Sequence, residues 1–310
     1  MAKPVKDPLT GAETTGHVWD ETLQEFNNPL PTWWIWTFYG TIIFALVYWI
    51  IYPSWPIASS YTKGIGTIEY KNAQGQEVTR PWNMRSLFVK DMQESESALK
   101  QKEYLAKVSA ASYEQIAQDN NMTAFVRSYG KGVFGDNCAA CHQTGANGVV
   151  GLFPNLVDDD WLWGGKTEQI EETIRQGRLG FMPAFKETLN DEQTTDVAEY
   201  VLSLSGLEHN AEAAKKGEVI FNGQTGGCYY CHTTEGKGLY SQGSANLTDK
   251  VWTIANVPAA ADTEAKLKAV KSVVLNGVNR QMPSFNHRLD DTEIKVLVAY
   301  LREMSATDTK

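Results

Sequence analysis

All four cysteines of the 310-residue chain sit in two copies of one short pattern, Cys138-Ala-Ala-Cys141-His142 and Cys228-Tyr-Tyr-Cys231-His232. Positions i, i+3 and i+4 of a helix share one face, so two thiols and an imidazole can address one flat object from the same side. Haem fits that description: the thiols add across its two vinyl groups and the imidazole becomes an axial iron ligand. Rival uses of the pattern fit less well. A zinc site joining the two pairs would bridge 90 residues, far beyond the usual spacer, and gives the histidines no task. A redox dithiol needs a βαβ setting, which surrounds neither copy.

The second axial ligand has a candidate at the same point of each copy, Met182 in GRLGFMPAF and Met282 in VNRQMPSF. The following proline pushes each methionine out of helical geometry and into an extended loop. The alternative use of a lone methionine is filling a gap in a core. His17, His209 and His287 lie outside the motifs, and His287, five residues beyond Met282, is the competitor for the sixth position. Histidine with methionine fills both axial positions, which leaves no place for oxygen or peroxide, and a thioether raises the potential. The chemistry is then electron relay. Trp161, Trp163 and Trp252 are either haem-edge residues or core packing; Arg178 and Arg280 are either propionate partners or solvated.

The elements around these residues repeat as well. Asn155-Leu156, Trp161, Gly177 and Phe185 recur as Asn246-Leu247, Trp252, Gly277 and Phe285, each series ending in an amphipathic stretch. Asn190 with Gln193, and Asp290 with Glu293, supply matching helix starts. Val197, Tyr200, Val201 and Leu204 then fall on one face, as do Ile294, Leu297, Val298 and Leu301. Two domains of one design are expected at 122–207 and 208–310, mostly helix with long loops, joined by LSGLEHNAEAAKKG.

Upstream, Thr32 to Tyr52 holds no charge, lies between Pro31 and Pro53, and carries aromatic residues at both ends. Such a run is long enough to cross a bilayer and has the aromatic belts of a membrane anchor, the alternative being a buried core helix. The first 21 residues lack the pattern of a secretory signal, so the anchor is read as uncleaved. The fold class is mainly α, one transmembrane helix at 32–52 followed by two tandem cytochrome c domains. Residues 1–31 form an N-terminal segment and 53–121 a connector or stalk, extended or turn-rich in GIGTIEYKNAQGQEVTR and helical after it. Lys3 and Lys6 before the span balance Lys63 and Lys71 after it, so charge does not orient it. Haem attachment of this kind takes place outside the bacterial inner membrane, which places the C-terminal portion in the periplasm and 1–31 in the cytoplasm. With 42% apolar and 21% charged residues the chain is globular, and its net charge of −9 excludes nucleic acid as a partner.

NNPLP leading into the Trp-rich anchor, DNCAACHQTGANG, GLFPNL, WLWGG, GFMPAF and the second CxxCH with QMP together resemble the diheme cytochrome c subunit, subunit III, of cbb3-type cytochrome c oxidases. The likeness runs through most of the chain. It implies two covalently bound haems c, on Cys138 with Cys141 and on Cys228 with Cys231, with His142 and His232 as proximal ligands and Met182 and Met282 opposite them. Members are described with crossed methionines, each serving the other domain's haem; sequence leaves both arrangements open. The resemblance implies an electron-transfer subunit without catalysis of its own, in a proton-pumping oxidase. It would accept electrons from a donor cytochrome c and pass them to the monohaem cytochrome c subunit and the catalytic haem-copper subunit. A diheme peroxidase, or the cytochrome subunit of a membrane-bound periplasmic dehydrogenase, are the alternatives. Residues 127–207 hold six basic and twelve acidic side chains. Asp158, Asp159, Asp160, Glu168, Glu171 and Glu172 would steer a basic donor or form a solvated face.

Overall fold

Thr32–Ile51 is one uninterrupted helix, α1, preceded by a hairpin of β1 (Thr14–Trp19) and β2 (Leu23–Phe26). The computed structural model describes residues 3–72 and 74–308; Met1, Ala2, Ala73, Thr309 and Lys310 lie outside the described residues. At 20 residues, α1 is about 30 Å long and buries none of its side chains within the chain, the state of a helix whose apolar surface meets lipid. It ends one residue before the sequence reading does, because Tyr52 turns extended ahead of Pro53.

Its last carbonyls are not left open. Ile65 N and Gly66 N donate to the carbonyls of Ile50 and Ile51 at 3.2 and 3.0 Å, which satisfies acceptors that a helix C-terminus otherwise exposes. Gly64, at φ +69°, comes so close to Ile51 that a Cβ would overlap its carbonyl. A small hairpin of β3 (Pro56–Ile57) and β4 (Ser60–Tyr61) follows the anchor. The stretch read from sequence as extended or turn-rich is a second hairpin, β5 (Thr67–Lys71) with β6 (Glu77–Pro81). Helix α2 (Met84–Glu94), capped by Asn83, packs on β5. Helix α3 (Glu96–Ala110) carries the chain from the first compact unit, Met1–Gln101, to the second, Lys102–Lys310.

In the second unit the order is α4 (Tyr113–Gln118), α5 (Asn120–Asn137), α6 (Ala139–His142), α7 (Thr167–Gln176) and β7 (Arg178–Met182), then α8 (Asp191–Leu204). The pattern restarts with α9 (Ala211–Phe221), α10 (Tyr229–His232), α11 (Thr263–Asn276), β8 (Val278–Met282) and α12 (Asp291–Asp308). Both expected helix starts form: Asn190 and Gln193 cap α8 reciprocally, and Asp290 and Glu293 do the same for α12.

The packing does not follow the repeat order. Each repeat's closing helix lies against the other repeat. Helix α12 packs on α5 and α7, while α8 packs on α9 and α11. The two crossings share one device. At Gly130 a Cβ would overlap Tyr300, and at Gly217 it would overlap the Asp196 carbonyl and crowd Tyr200. One turn further on, Phe134 meets Tyr300 and Phe221 meets Tyr200, with ring centroids 5.9 and 5.2 Å apart. One core therefore joins Phe134, Ile170 and Ile174 to Phe285, Ile294 and Leu297, and another joins Ala198, Val201 and Leu202 to Phe221, Val257 and Val270. Each Val, Leu, Ile or Phe among them contributes about 1.5–3 kcal/mol by leaving water. The sequence repeats at 122–207 and 208–310 are thus not each wrapped around their own helices. The six residues between α8 and α9 are too few to carry the chain across a domain, and sequence neighbours on so short a loop pack as antiparallel partners.

The exchange passes through a two-stranded ladder. Strands β7 and β8 pair antiparallel with Arg178 opposite Met282, Gly180 opposite Arg280 and Met182 opposite Val278. Beyond each Met-Pro the chain docks on the other repeat: Phe185 N donates to Val274 O at 3.1 Å and Phe285 N to Ile174 O at 3.0 Å. Ion pairs repeat the tie, Arg175 to Asp291 at 2.6 Å and Lys271 to Asp191 at 2.7 Å.

Candidate functional site

Helices α6 and α10 are single turns that hold the two CxxCH motifs. After each histidine the backbone takes a positive φ, +67° at Gln143 and +61° at Thr233. That conformation is costly for a residue with a side chain and is found where function requires a sharp exit. The loop that leaves folds back under the imidazole. His142 Nδ1 donates to the Pro154 carbonyl at 3.0 Å, and His232 Nδ1 donates to the Ala245 carbonyl at 2.9 Å. A carbonyl only accepts, so the proton sits on Nδ1 and Nε2 is left with its lone pair, the tautomer and orientation of an iron ligand. Burial holds both imidazoles below the usual histidine range, which keeps that lone pair free.

The carbonyls are placed by two glycines that the sequence reading passed over. Gly148 N and Gly238 N donate to the carbonyls of His142 and His232, each at 3.0 Å. At φ +65° a Cβ on Gly148 would overlap the carbonyls of Phe153 and Pro154, and at φ +74° one on Gly238 would meet those of Ser244 and Ala245. Each lies six residues after its histidine, and aligning the two copies would have exposed the match. Gly148→Ala is expected to cost about 2 kcal/mol and to dislodge the Pro154 carbonyl. A denaturation midpoint of the full chain checks this; an unchanged midpoint contradicts it.

All eight candidate ligand and tether residues border one cavity of about 850 Å³: Cys138, Cys141, His142 and Met182, and Cys228, Cys231, His232 and Met282. The ladder supplies the methionines. Along β7 and β8 burial alternates, so Arg178, Gly180 and Met182, and Val278, Arg280 and Met282, turn inward while Leu179 and Phe181 face out. The expected extended loops around Met-Pro are therefore strands, and each methionine ends one. Met282 packs on the same buried cluster as Cys138, Ala139 and Trp161. His287 is exposed and does not border the cavity.

The walls suit a large planar group with acidic edges. Trp161, Trp163 and Trp252 line the cavity, the first packing on the Cys138 core and the last on the Cys228 core. Arg178 donates from Nε to Thr173 Oγ1 at 2.9 Å and pairs with Glu172 at 3.1 Å. Arg280 also lines the cavity, has no ion-pair partner among the described residues, and has its charged form disfavoured by burial. An unpaired, half-buried guanidinium is a site for a carboxylate such as a propionate. Asp160 adds a buried Oδ2 without a partner. Burial first, then the charges of Asp249, Asp158 and Asp159, push its carboxyl up to about 6.

Burial pushes Cys138 and Cys228 each up to about 11, the reverse of the depressed values of reactive dithiols. Among the described residues no three His, Cys, Asp or Glu side chains gather as a metal ion would require. Of the acidic residues read as a steering face, Glu171 and Glu172 are paired with Arg175 and Arg178 and Asp160 is half-buried. The face open to a partner is correspondingly smaller.

Comparison with known proteins gives the family. Residues 11–59 match the N-terminal domain of cytochrome oxidase-cbb3, FixP, and residues 127–201 and 212–301 match cytochrome c oxidase, cbb3-type, subunit III. The chain is 39% identical to the cbb3-type cytochrome c oxidase subunit FixP of Azorhizobium caulinodans, covering 96% of this chain and 94% of that one. It is 36% identical to subunit CcoP of Azospirillum brasilense, covering 98% and 99%.

Proposed function

The chain belongs to the family of subunit III of cbb3-type cytochrome c oxidases, and from that membership we propose a two-centre electron relay in which each centre is built from both repeats. The protein is a membrane-anchored, haem c-binding electron-transfer subunit of a multi-subunit oxidase. Cys138 and Cys141 would tether one haem with His142 as its iron ligand, and Cys228 and Cys231 the other with His232. The observation that carries this reading is the meeting of both CxxCH turns and both Met-Pro strand ends at one cavity.

Haem c supplies a one-electron couple. The chain does the rest. His142 and His232, fixed by Pro154 and Ala245, have Nε2 free and would hold iron through it, and with a methionine thioether as the second protein ligand oxygen would find no open position. We assign Met282 to the centre at Cys138 and Met182 to the centre at Cys228. The packing of Met282 on the same buried cluster as Cys138 supports this, and so does the exchange of chain beyond each Met-Pro. Crossing of this kind locks the relative position of the centres, because each is completed by the other repeat. The haem-bearing portion lies in the periplasm and 1–31 in the cytoplasm. Residues 53–121 form the connector. The relay takes electrons from a donor cytochrome c and delivers them to the monohaem subunit and so to the haem-copper catalytic subunit.

The test is purification through a tag on this chain in mild detergent. The haem-copper subunit is expected to come with it, and oxidase lacking this chain is expected to lose oxidation of reduced cytochrome c. Recovery with a dehydrogenase instead, or unchanged oxidation without the chain, overturns the reading.

A further inference from the structure

Trp161 and Trp163 stand two residues apart in the WLWGG segment and serve different centres. The Trp161 ring packs on the same buried cluster as Cys138, and a Cβ on Gly165 would overlap it. Trp163 reaches the other repeat. Its indole lies over Gly243, where a Cβ would overlap the six-membered ring. Gly243 is flanked by two residues that hold the second thiol's turn: Gln242 Oε1 accepts from Cys231 Sγ at 3.0 Å, and Ser244 Oγ donates to the Cys231 carbonyl at 2.6 Å. A ring from the first repeat is thus set into the loop that shapes the second site.

Its position is enforced from above by Arg178, whose guanidinium carbon is 5.0 Å from the ring centroid and which Thr173 and Glu172 hold in turn. Trp163 borders the cavity together with both CxxCH motifs. The arrangement is one-sided. Counting from Trp252 as from Trp161, the equivalent position in the second repeat is Ile254, which carries no ring, and beside it Gly151 N donates to Thr253 O at 3.0 Å.

We propose that Trp163 is the positioning residue for electron exchange between the two centres, its indole filling the space that separates them. This rests on the two-centre reading above. In the step, one electron leaves one iron, which goes from ferrous to ferric, and arrives at the other, which goes from ferric to ferrous. No bond forms or breaks, no proton moves, and the indole is not itself oxidised. Its role is to keep close-packed atoms where a smaller side chain would leave a void or admit water, since interiors lose contact steeply with small gaps.

The experiment is pulse reduction of the full chain followed by the redistribution of the electron between its haems, with each potential titrated separately. In Trp163→Leu redistribution is expected to slow about tenfold, equivalent to about 1.4 kcal/mol of barrier, with both low-spin spectra and both potentials unchanged. Trp163→Phe, which keeps a ring, is expected to restore most of the rate. Gly243→Ala, which displaces the indole without removing it, is expected to slow exchange as well, and decides the matter should Trp163→Leu fail to load haem. Unchanged exchange in Trp163→Leu, or in Gly243→Ala if the first is not loaded, overturns the proposal and leaves the relay intact. A parent chain holding fewer than two haems overturns the relay and this proposal together.

Discussion

Replacing His142 by alanine is expected to lower oxygen uptake driven by reduced cytochrome c about a hundredfold, equivalent to roughly 2.7 kcal/mol of added barrier. The histidine is only 8% exposed and is locked by the Pro154 carbonyl. Of the other histidines, His232 shares the cavity but is held at the second motif by the Ala245 carbonyl, His287 is exposed and His209 bonds its neighbour Leu207 on the surface. Nothing nearby can replace the imidazole, and with its proximal donor gone that centre leaves the relay. His232→Ala is expected to act in the same way at the other end, because both centres lie in series. Turnover assayed on the intact complex, with oxidation of an artificial donor to the catalytic subunit as control, checks this. Uptake above half of the parent value contradicts the series arrangement.

The second large effect concerns which centre a methionine serves. In a chain whose second tether is removed by Cys228→Ala and Cys231→Ala, Met282→Leu is expected to open the remaining haem to carbon monoxide, while Met182→Leu leaves it closed. The geometry behind this is the antiparallel register. Met182 and Met282 end their strands at opposite ends of a five-residue ladder, roughly 14 Å apart at the rise of a β-strand, so each is committed to one side. Packing supports the proposed side: Met282 lies against the same buried cluster as Cys138 and Trp161. Carbon monoxide binding in the Met182→Leu chain instead would restore the uncrossed assignment. Where crossing holds, Met282→Leu also lowers that haem's potential, since the thioether favours the reduced form.

Much of this was legible in the sequence, and the parts that were not have a common cause. The anchor, the two CxxCH turns and the caps at Asn190 and Asp290 are local features: a charge-free run, a helical spacing, a side chain bonding three residues on. They need no distant partner, and the structure places them within a residue of expectation. Strands β7 and β8 carry no such mark. RLGFM contains a glycine and VNRQM is mostly polar, and each becomes a strand only because the other repeat supplies its hydrogen bonds from 100 residues away. The exchange of closing helices is hidden for the same reason, since α8 and α12 have the same pattern and either could cover either core. Only the short link between α8 and α9 hinted at it. Gly148 and Gly238 were passed over because a glycine in a loop reads as flexibility until the carbonyl pressed against it is seen.

The most direct test of the whole account is haem content together with ligand response, measured on the intact chain in detergent. Two covalent haems per polypeptide, both low-spin when reduced and neither shifted by carbon monoxide, is the predicted result. A colourless chain, a single haem, or a centre that takes up carbon monoxide without any mutation would contradict it.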